Sequence, residues 1–112
     1  MSDRVLDASD SGSSVRAAVG DRLLIRLVES PTNGYLWAAD EFPTSVLALL
    51  GSEFTRAPES QLGGGGLRTF TFGVLDLGRG EVRLRLRRPW ERDRPPAQEF
   101  ALEVQVVGLQ DT

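Results

Sequence analysis

The sequence contains no cysteine, no histidine and no lysine, and all thirteen of its cationic side chains are arginines. Without cysteine or histidine, the chain cannot form a thiol nucleophile, a Ser-His-Asp triad or a Cys/His zinc site. Without lysine, it has no Schiff-base amine and no lysine for a phosphate-binding loop. Disulfides are excluded as well, so the fold depends on its apolar core. We therefore expect a binding module and not an enzyme, with no cofactor and no metal.

The sequence also lacks long apolar stretches. None approaches the roughly eighteen consecutive apolar residues that a membrane helix needs, so we expect no membrane partner. The beginning of the sequence has no apolar segment of the secretory type, which predicts a cytoplasmic location. A periplasmic or secreted chain whose signal had been removed would begin in the same way. Residues 1–14 are rich in Ser, Asp and Gly and predict a flexible tail, which leaves residues 15–109 as the folded domain.

Alternation of apolar and polar residues dominates the rest of the 112-residue chain. It is strongest over residues 23–28, 69–74, 82–87 and 99–106, which predicts strands with one apolar face each. Weaker strands are predicted at 15–19, 36–39 and 52–56, and residues 44–50 form a helical turn or a short strand that Gly51 ends. Seven to eight short strands predict an all-β immunoglobulin-like β-sandwich. Another small sandwich or a barrel is the alternative.

The first candidate loop covers residues 30–35, which read Ser-Pro-Thr-Asn-Gly-Tyr. Pro31 fixes its own φ and favours an extended residue before it. Asn33 and Gly34 tolerate positive φ, so the loop can turn tightly and project its tip. On its own, this pattern is more typical of an ordinary hairpin turn.

The second candidate loop contains four consecutive glycines, residues 63–66, between Leu62 and Leu67. Ordering each glycine costs roughly 1–2 kcal/mol of backbone entropy, which a simple connection does not require. A stretch without side chains can lie against another backbone as an extended peptide does, and Leu62 offers an apolar contact beside it. We expect Gly65 to need positive φ or a bare backbone there. The alternative is a flexible linker between two strands.

The third candidate loop begins with Arg88-Pro89-Trp90, just after a predicted strand. Pro89 interrupts the alternation, so Trp90 is predicted to lie outside the core and to serve as a binding residue. Arginine and tryptophan are enriched among the residues that dominate binding energy at interfaces. The alternative is that Trp90 folds back on its own domain and Arg88 joins a surface ion pair. Trp37, within a short predicted strand, is the better candidate for a core tryptophan.

The outward positions of residues 82–87 form an arginine stripe that could suggest a nucleic-acid surface. Glutamates occupy outward positions on the next predicted strand. A hairpin register that places Arg87 opposite Glu99 and Arg83 opposite Glu103 would neutralise the stripe. A neutralised stripe on a chain of net charge −3 is a poor binder of phosphates. We therefore expect no nucleic-acid partner.

In this order and on this predicted fold, the three loops resemble the chagasin family of cysteine-protease inhibitors (peptidase inhibitor family I42). That family carries Asn-Pro-Thr-Thr-Gly-Tyr, then Gly-x-Gly-Gly, then Arg-Pro-Trp. The matching residues are Pro31, Thr32, Gly34 and Tyr35 in the first motif, Gly63, Gly65 and Gly66 in the second, and Arg88, Pro89 and Trp90 in the third. The likeness extends from about Val15 to Val107. Ser30 and Asn33 stand where the family has Asn and a second Thr, which we expect to affect potency and target range more than the class of inhibitor.

The resemblance implies that the three loops form a wedge at one end of the sandwich. This wedge would enter the active-site cleft of papain-like (clan CA, family C1) cysteine proteases. It implies reversible, occlusive inhibition by a monomer, without a covalent step. The implied protease-binding residues are Pro31, Thr32, Asn33, Gly34, Tyr35, Leu62, Gly63, Gly64, Gly65, Gly66, Arg88, Pro89 and Trp90.

The competing hypothesis is a non-catalytic carbohydrate- or protein-binding module of the same fold. In that case Tyr35, Trp37 and Trp90 would stack on sugars. A small hydrolase using two carboxylates ranks below both, because nothing in the sequence places two carboxylates in one concave site.

Overall fold

The computed structural model describes residues 2–30, 34–56, 65–91 and 93–108. Within these ranges the chain forms eight strands in two four-stranded sheets, which confirms the all-β immunoglobulin-like sandwich. The strands are β1 (Asp3–Leu6), β2 (Ser14–Ala17), β3 (Arg22–Glu29), β4 (Leu36–Glu41), β5 (Leu47–Arg56), β6 (Gly66–Val74), β7 (Gly78–Arg87) and β8 (Gln98–Val106), with a single 3-10 turn at Ala8–Asp10. The strand orders are β1-β3-β6-β5 and β2-β8-β7-β4. No helix in these ranges is long and apolar enough to cross a membrane.

One core lies between the two sheets and is formed by the alternating apolar positions. Leu23 and Ile25 of β3 lie opposite Phe72 and Phe70 of β6, and each is at most 2% exposed. Leu84 of β7 contributes from the other sheet and is fully buried. Burying one such side chain stabilises the fold by about 1.5–3 kcal/mol, so these strands hold the sandwich together. The four strongly alternating segments are all strands, as predicted.

The structure corrects the flexible tail predicted over residues 1–14. Strand β1 pairs in parallel with β3, from Asp3 opposite Arg22 to Leu6 opposite Ile25. Leu6 is buried in the core, and the Asp7 carboxylate caps the following 3-10 turn by accepting from the backbone N–H of Ser9 at 2.9 Å. The polar residues thus make local caps, and the ordered fold begins before residue 15.

Gly51 does not end a segment, contrary to the prediction. Strand β5 continues through it from Leu47 to Arg56, and the pairing with β6 shifts register between Leu49 and Gly51. Gly51 does not adopt positive φ, so its backbone stays compatible with a strand. The predicted segments 44–50 and 52–56 therefore belong mainly to one strand that carries an irregularity.

The predicted register of the β7–β8 hairpin, with Arg83 opposite Glu103 and Arg87 opposite Glu99, is wrong by two residues. In the structure, Arg85 lies opposite Glu99. A shift of two residues leaves every side chain on the same face of the sheet, since side chains alternate with period two. The apolar pattern therefore could not distinguish the two registers.

The arginine stripe is nevertheless neutralised by neighbouring carboxylates. Glu99 pairs with Arg85 at 2.7 Å and with Arg83 at 3.3 Å. Arg87 pairs at 3.3 Å with Asp40 of the neighbouring strand β4, a partner that the sequence analysis did not identify. The stripe is thus a network of ion pairs on the outer face of the second sheet.

Candidate functional site

Three connections leave the sandwich at the same end. In the first sheet, Gly66 at the start of β6 lies opposite both Glu29, at the end of β3, and Arg56, at the end of β5. In the second sheet, Leu36 at the start of β4 lies opposite Arg87 at the end of β7. The β3–β4, β5–β6 and β7–β8 connections therefore begin and end together. We call this the loop end.

The predicted site residues divide into those that the structure describes and those that it does not. Residues 31–33 and 57–64 lie outside the described ranges, and they include Pro31, Thr32, Asn33, Leu62, Gly63 and Gly64. The described site residues are Gly34, Tyr35, Gly65, Gly66, Arg88, Pro89 and Trp90, all at or next to the loop end.

The first and third connections touch each other. Gly34 has a φ of +87°, as the turn chemistry predicts, and a Cβ placed on it would lie 2.7 Å from Cη2 of Trp90. The guanidinium carbon of Arg88 lies 4.5 Å from the centroid of the Tyr35 ring, a cation–π distance. Glycine at position 34 therefore lets the Trp90 indole lie directly against the first connection.

Trp90 stays largely exposed in spite of this contact. It is 70% exposed, the highest value among the large apolar side chains of the described residues. Its backbone is held in a turn in which the N–H of Glu91 donates to the carbonyl of Arg88 at 2.9 Å. Arg88 also forms an ion pair with Glu91 at 3.6 Å, which agrees with the alternative prediction of a surface ion pair. The protein thus presents a positioned indole to solvent, where it is costly unless a partner covers it.

Trp37 has the opposite environment, as predicted. It is 7% exposed and belongs to the core. Its indole N–H donates to the carbonyl oxygen of Val28 at 2.9 Å. This bond fixes the buried ring at the loop end. Because Trp37 is buried, the sugar-binding hypothesis loses one of its three proposed stacking aromatics.

The glycines at the end of the second connection are buried. Both Gly65 and Gly66 are buried, and Gly66 is the first residue of β6. A Cβ on Gly66 would overlap the backbone carbonyl oxygen of Thr55 and approach Arg56 Cα to 2.9 Å. Gly66 is therefore required by strand pairing within the hairpin, a role that the sequence analysis did not assign to it.

Two charged residues at the loop end, Glu29 and Arg68, were not predicted from the sequence. Glu29 is 1% exposed and forms an ion pair with Arg68 at 2.8 Å. A signal was present, since Glu29 continues the inward phase of Leu23, Ile25 and Leu27 along β3. A charged residue at an inward position needs a partner, and that partner comes from β6.

The arrangement of the described residues supports binding. In the part of the chain that the structure describes, no group of three His, Cys, Asp or Glu side chains is placed to hold a metal ion. The loop end presents the Trp90 indole and the Arg88–Tyr35 pair, which suit contact with another macromolecule.

Comparison with known proteins identifies related sequences over most of the chain. A sequence model described as "Chagasin family peptidase inhibitor I42" matches residues 16–104. Chagasin from Trypanosoma cruzi is 30% identical over 94 residues, which cover 80% of this chain and 84% of chagasin.

Solved structures share the fold over nearly the whole chain. The cysteine protease inhibitor EhICP2 from Entamoeba histolytica has a TM-score of 0.84 at 22% identity, covering 95% of this chain and 96% of that one. Amebosin has a TM-score of 0.72 at 28% identity, covering 93% and 97%. PbICP-C, solved in complex with falcipain-2, has a TM-score of 0.52 at 20% identity, covering 95% and 99%.

Proposed function

Because this chain belongs to the chagasin family of peptidase inhibitors, I42, a family of cysteine protease inhibitors and not of enzymes, we propose that it inhibits papain-like (clan CA, family C1) cysteine proteases. Inhibition is reversible and occlusive, and the loop end enters the active-site cleft as a wedge. One copy of the chain blocks one protease.

The observation that carries this proposal is the exposed Trp90 indole held against Gly34. An indole that is 70% exposed has most of its apolar surface available for burial by a partner. Its contact with Gly34 and the Arg88–Tyr35 stack fix its position before binding. Such preorganisation reduces the entropy lost on association.

Each connection has a distinct part in this proposal. Residues 30–35 lie over the catalytic cysteine of the protease, and the glycine connection lies along the cleft in the manner of an extended substrate. Trp90 packs on one side of the cleft. No covalent step is involved, because the inhibitor acts by filling the space that the substrate needs.

A complex of another protein with this fold supports the proposal that the partner is a protein. PbICP-C was solved in complex with falcipain-2, so this sandwich can serve as a scaffold for binding another protein. For the present chain, the partner class comes from its family and the contact surface from its loop end.

Titration of papain with the purified protein tests the proposal. We expect loss of activity at a one-to-one ratio, competition with substrate, and recovery of activity and of intact inhibitor on dilution. Absence of inhibition at micromolar protein would overturn the proposal and favour the binding-module alternative. Inhibition accompanied by cleavage or by a covalent adduct would overturn the occlusive mechanism.

A pair of matched variants locates the contact surface. Trp90→Ala should raise the inhibition constant about 30-fold, which corresponds to roughly 2 kcal/mol of binding free energy. Leu77→Ala removes another exposed apolar side chain, 57% exposed, from the β6–β7 turn at the other end of the sandwich. It should leave the inhibition constant unchanged. Equal effects of the two substitutions would contradict binding through the loop end.

A further inference from the structure

The buried carboxylate of Glu29 is fully satisfied by groups from two other strands. Its Oε2 accepts from the backbone N–H of Trp37 at 2.7 Å. Its Oε1 accepts from Nη2 of Arg68 at 2.8 Å and from Nε at 3.2 Å. Its side chain has no solvent exposure, so these three donors replace the water that the carboxylate loses on folding.

Arg68 extends the same network to a fourth strand. Its guanidinium carbon lies 5.7 Å from the centroid of the Phe54 ring, and its Nη1 donates to Oγ of Ser52 at 3.3 Å. Both partners belong to β5, whereas Arg68 belongs to β6. The guanidinium therefore spans the hairpin close to the point where its connection begins and ends.

The residues of this network lie next to the first and second connections. Glu29 is the last residue of β3, and Trp37 is the second residue of β4, so the carboxylate ties together the two ends of the first connection. Arg68 ties the same carboxylate to the two strands that flank the glycine connection. One ion pair thus contacts all four strands from which the first and second connections emerge.

We infer that Glu29 and Arg68 are positioning residues, which hold the strand ends that flank the first and second connections in a fixed relation so that both connections can enter one protease cleft. This inference rests on the proposed function. Replacing a buried ion pair by well-packed hydrophobic residues of similar volume often costs little stability, whereas removing only one partner is costly. Stability alone therefore does not explain the pair. Its particular property is that the two oxygens of one carboxylate accept from Trp37 of β4 and from the Arg68 guanidinium of β6 at the same time, which an uncharged pair does not reproduce.

Three variants separate positioning from folding: Glu29→Gln, Arg68→Gln and the double substitution. Each single variant leaves one charge without its partner, so we expect both to lose stability and inhibition. The double variant buries no charge, so its stability should be higher than that of either single variant. Its inhibition constant for papain should remain at least tenfold higher. If inhibition recovers together with stability, the pair is only structural and the inference fails.

Amide hydrogen exchange provides a readout that needs no protease. In the double variant, the amides of Gly34, Tyr35 and Gly65 should exchange at least tenfold faster than in the wild type, while that of Leu84 in the core should not change. Unchanged exchange at the connections would overturn the inference. If the wild type fails to inhibit papain, the proposed function fails, and this exchange measurement still decides whether the pair orders the loop end.

Two further variants complete the test. Arg68→Lys keeps the positive charge and the fold but removes the Nε–H donor, and we expect at least threefold weaker inhibition and faster exchange at Gly34. Wild-type behaviour of Arg68→Lys would count against positioning, even if the double variant does not fold. Arg22→Gln is the matched control, because it removes an arginine that donates twice to Asp3 at the other end of β3. It should leave inhibition and exchange at the connections unchanged.

Discussion

The two tryptophan side chains lie in opposite environments, with Trp37 7% exposed and Trp90 70% exposed. Trp37→Ala should lower the free energy of unfolding by about 3–5 kcal/mol, because it opens a cavity in the core and leaves the Val28 carbonyl without its indole donor. Trp90→Ala should change it by less than about 1 kcal/mol, as for other exposed positions. Denaturant unfolding of both variants measures the two values.

In protease binding, the two variants should show the opposite pattern: Trp90→Ala should be impaired and Trp37→Ala should not. The fraction of Trp37→Ala that remains folded should show no separate binding defect, whereas Trp90→Ala should inhibit papain poorly while melting near the wild-type temperature. A Trp90→Ala protein that melts far below the wild type would show that the two roles have been assigned the wrong way round.

Gly34 combines two constraints that a control glycine can separate. An L-residue at its φ of +87° costs about 1–2 kcal/mol, and a Cβ there would also displace Trp90. Gly20 has a φ of +97°, and a Cβ on it would meet no atom within 4 Å. Gly34→Ala and Gly20→Ala should therefore lose similar stability in thermal unfolding. Only Gly34→Ala should weaken inhibition, by about tenfold or more; equal inhibition by the two would mean that the contact with Trp90 is irrelevant.

At single positions, the sequence was informative where the residue type alone restricts the conformation. Positive φ at Gly34 was predictable in this way, whereas the burial of Trp37 was predictable from its place in a short predicted strand. The ion pair of Glu29 with Arg68 was not, because its two residues are 39 positions apart and only the β3–β6 register brings them together. The burial of Gly66 against Thr55 depends on strand pairing in the same manner.

The β5–β6 hairpin offers a test at the level of an element. Gly66→Ala would push a methyl group into the backbone of β5, and overpacking of this kind typically costs about 1–3 kcal/mol. Gly51 lies on the same hairpin, has no positive φ, and has open space where its Cβ would be. Gly51→Ala should be neutral or stabilise the protein by up to about 1 kcal/mol. Denaturant unfolding compares the two, and an equal loss in both would show that the hairpin is insensitive to the Thr55 contact.

Strands with one apolar face could be predicted from alternation, but three features of the elements could not. Strand β1 has only Leu6 buried among its four residues, too short a pattern to recognise. Gly51 predicts a break in the strand, because propensity does not show when a bulge accommodates a glycine. The β7–β8 register differs by an even number of residues from the predicted one, which the apolar pattern cannot detect.

For the whole molecule, the absence of histidine predicts a flat response to pH near neutrality. A hydrogen bond from Arg85 lowers the pKa of Glu99 below its ordinary value of 4.5. A backbone hydrogen bond from Ala18 lowers the pKa of Asp21 below 3.8. Carboxyl groups with lowered pKa values stabilise the fold above the ordinary pKa, and this contribution is lost as the pH falls through the lowered value. The melting temperature should thus be constant from about pH 5 to 8 and should fall below about pH 4.

Titration of the free protein checks the same expectation. Little proton uptake should occur between pH 8 and 5, so any pH dependence of inhibition in this range should come from the protease. Substantial uptake there, or a melting temperature that decreases between pH 8 and 5, would contradict it. In Glu99→Gln, the decrease at acidic pH should be less steep, because one of the linked groups is gone.

The two parallel pairings of the first strands have a mechanical consequence. Strand β1 runs parallel to β3, and β2 runs parallel to β8, the last strand of the fold. When force is applied between Ser14 and Val106, β2 and β8 are drawn in opposite directions along their common axis. Their hydrogen bonds are then loaded together in shear and cannot open one after another. Single-molecule extension should therefore show one high-force rupture, and a variant with Pro in place of Arg16 within β2 should rupture at a lower force.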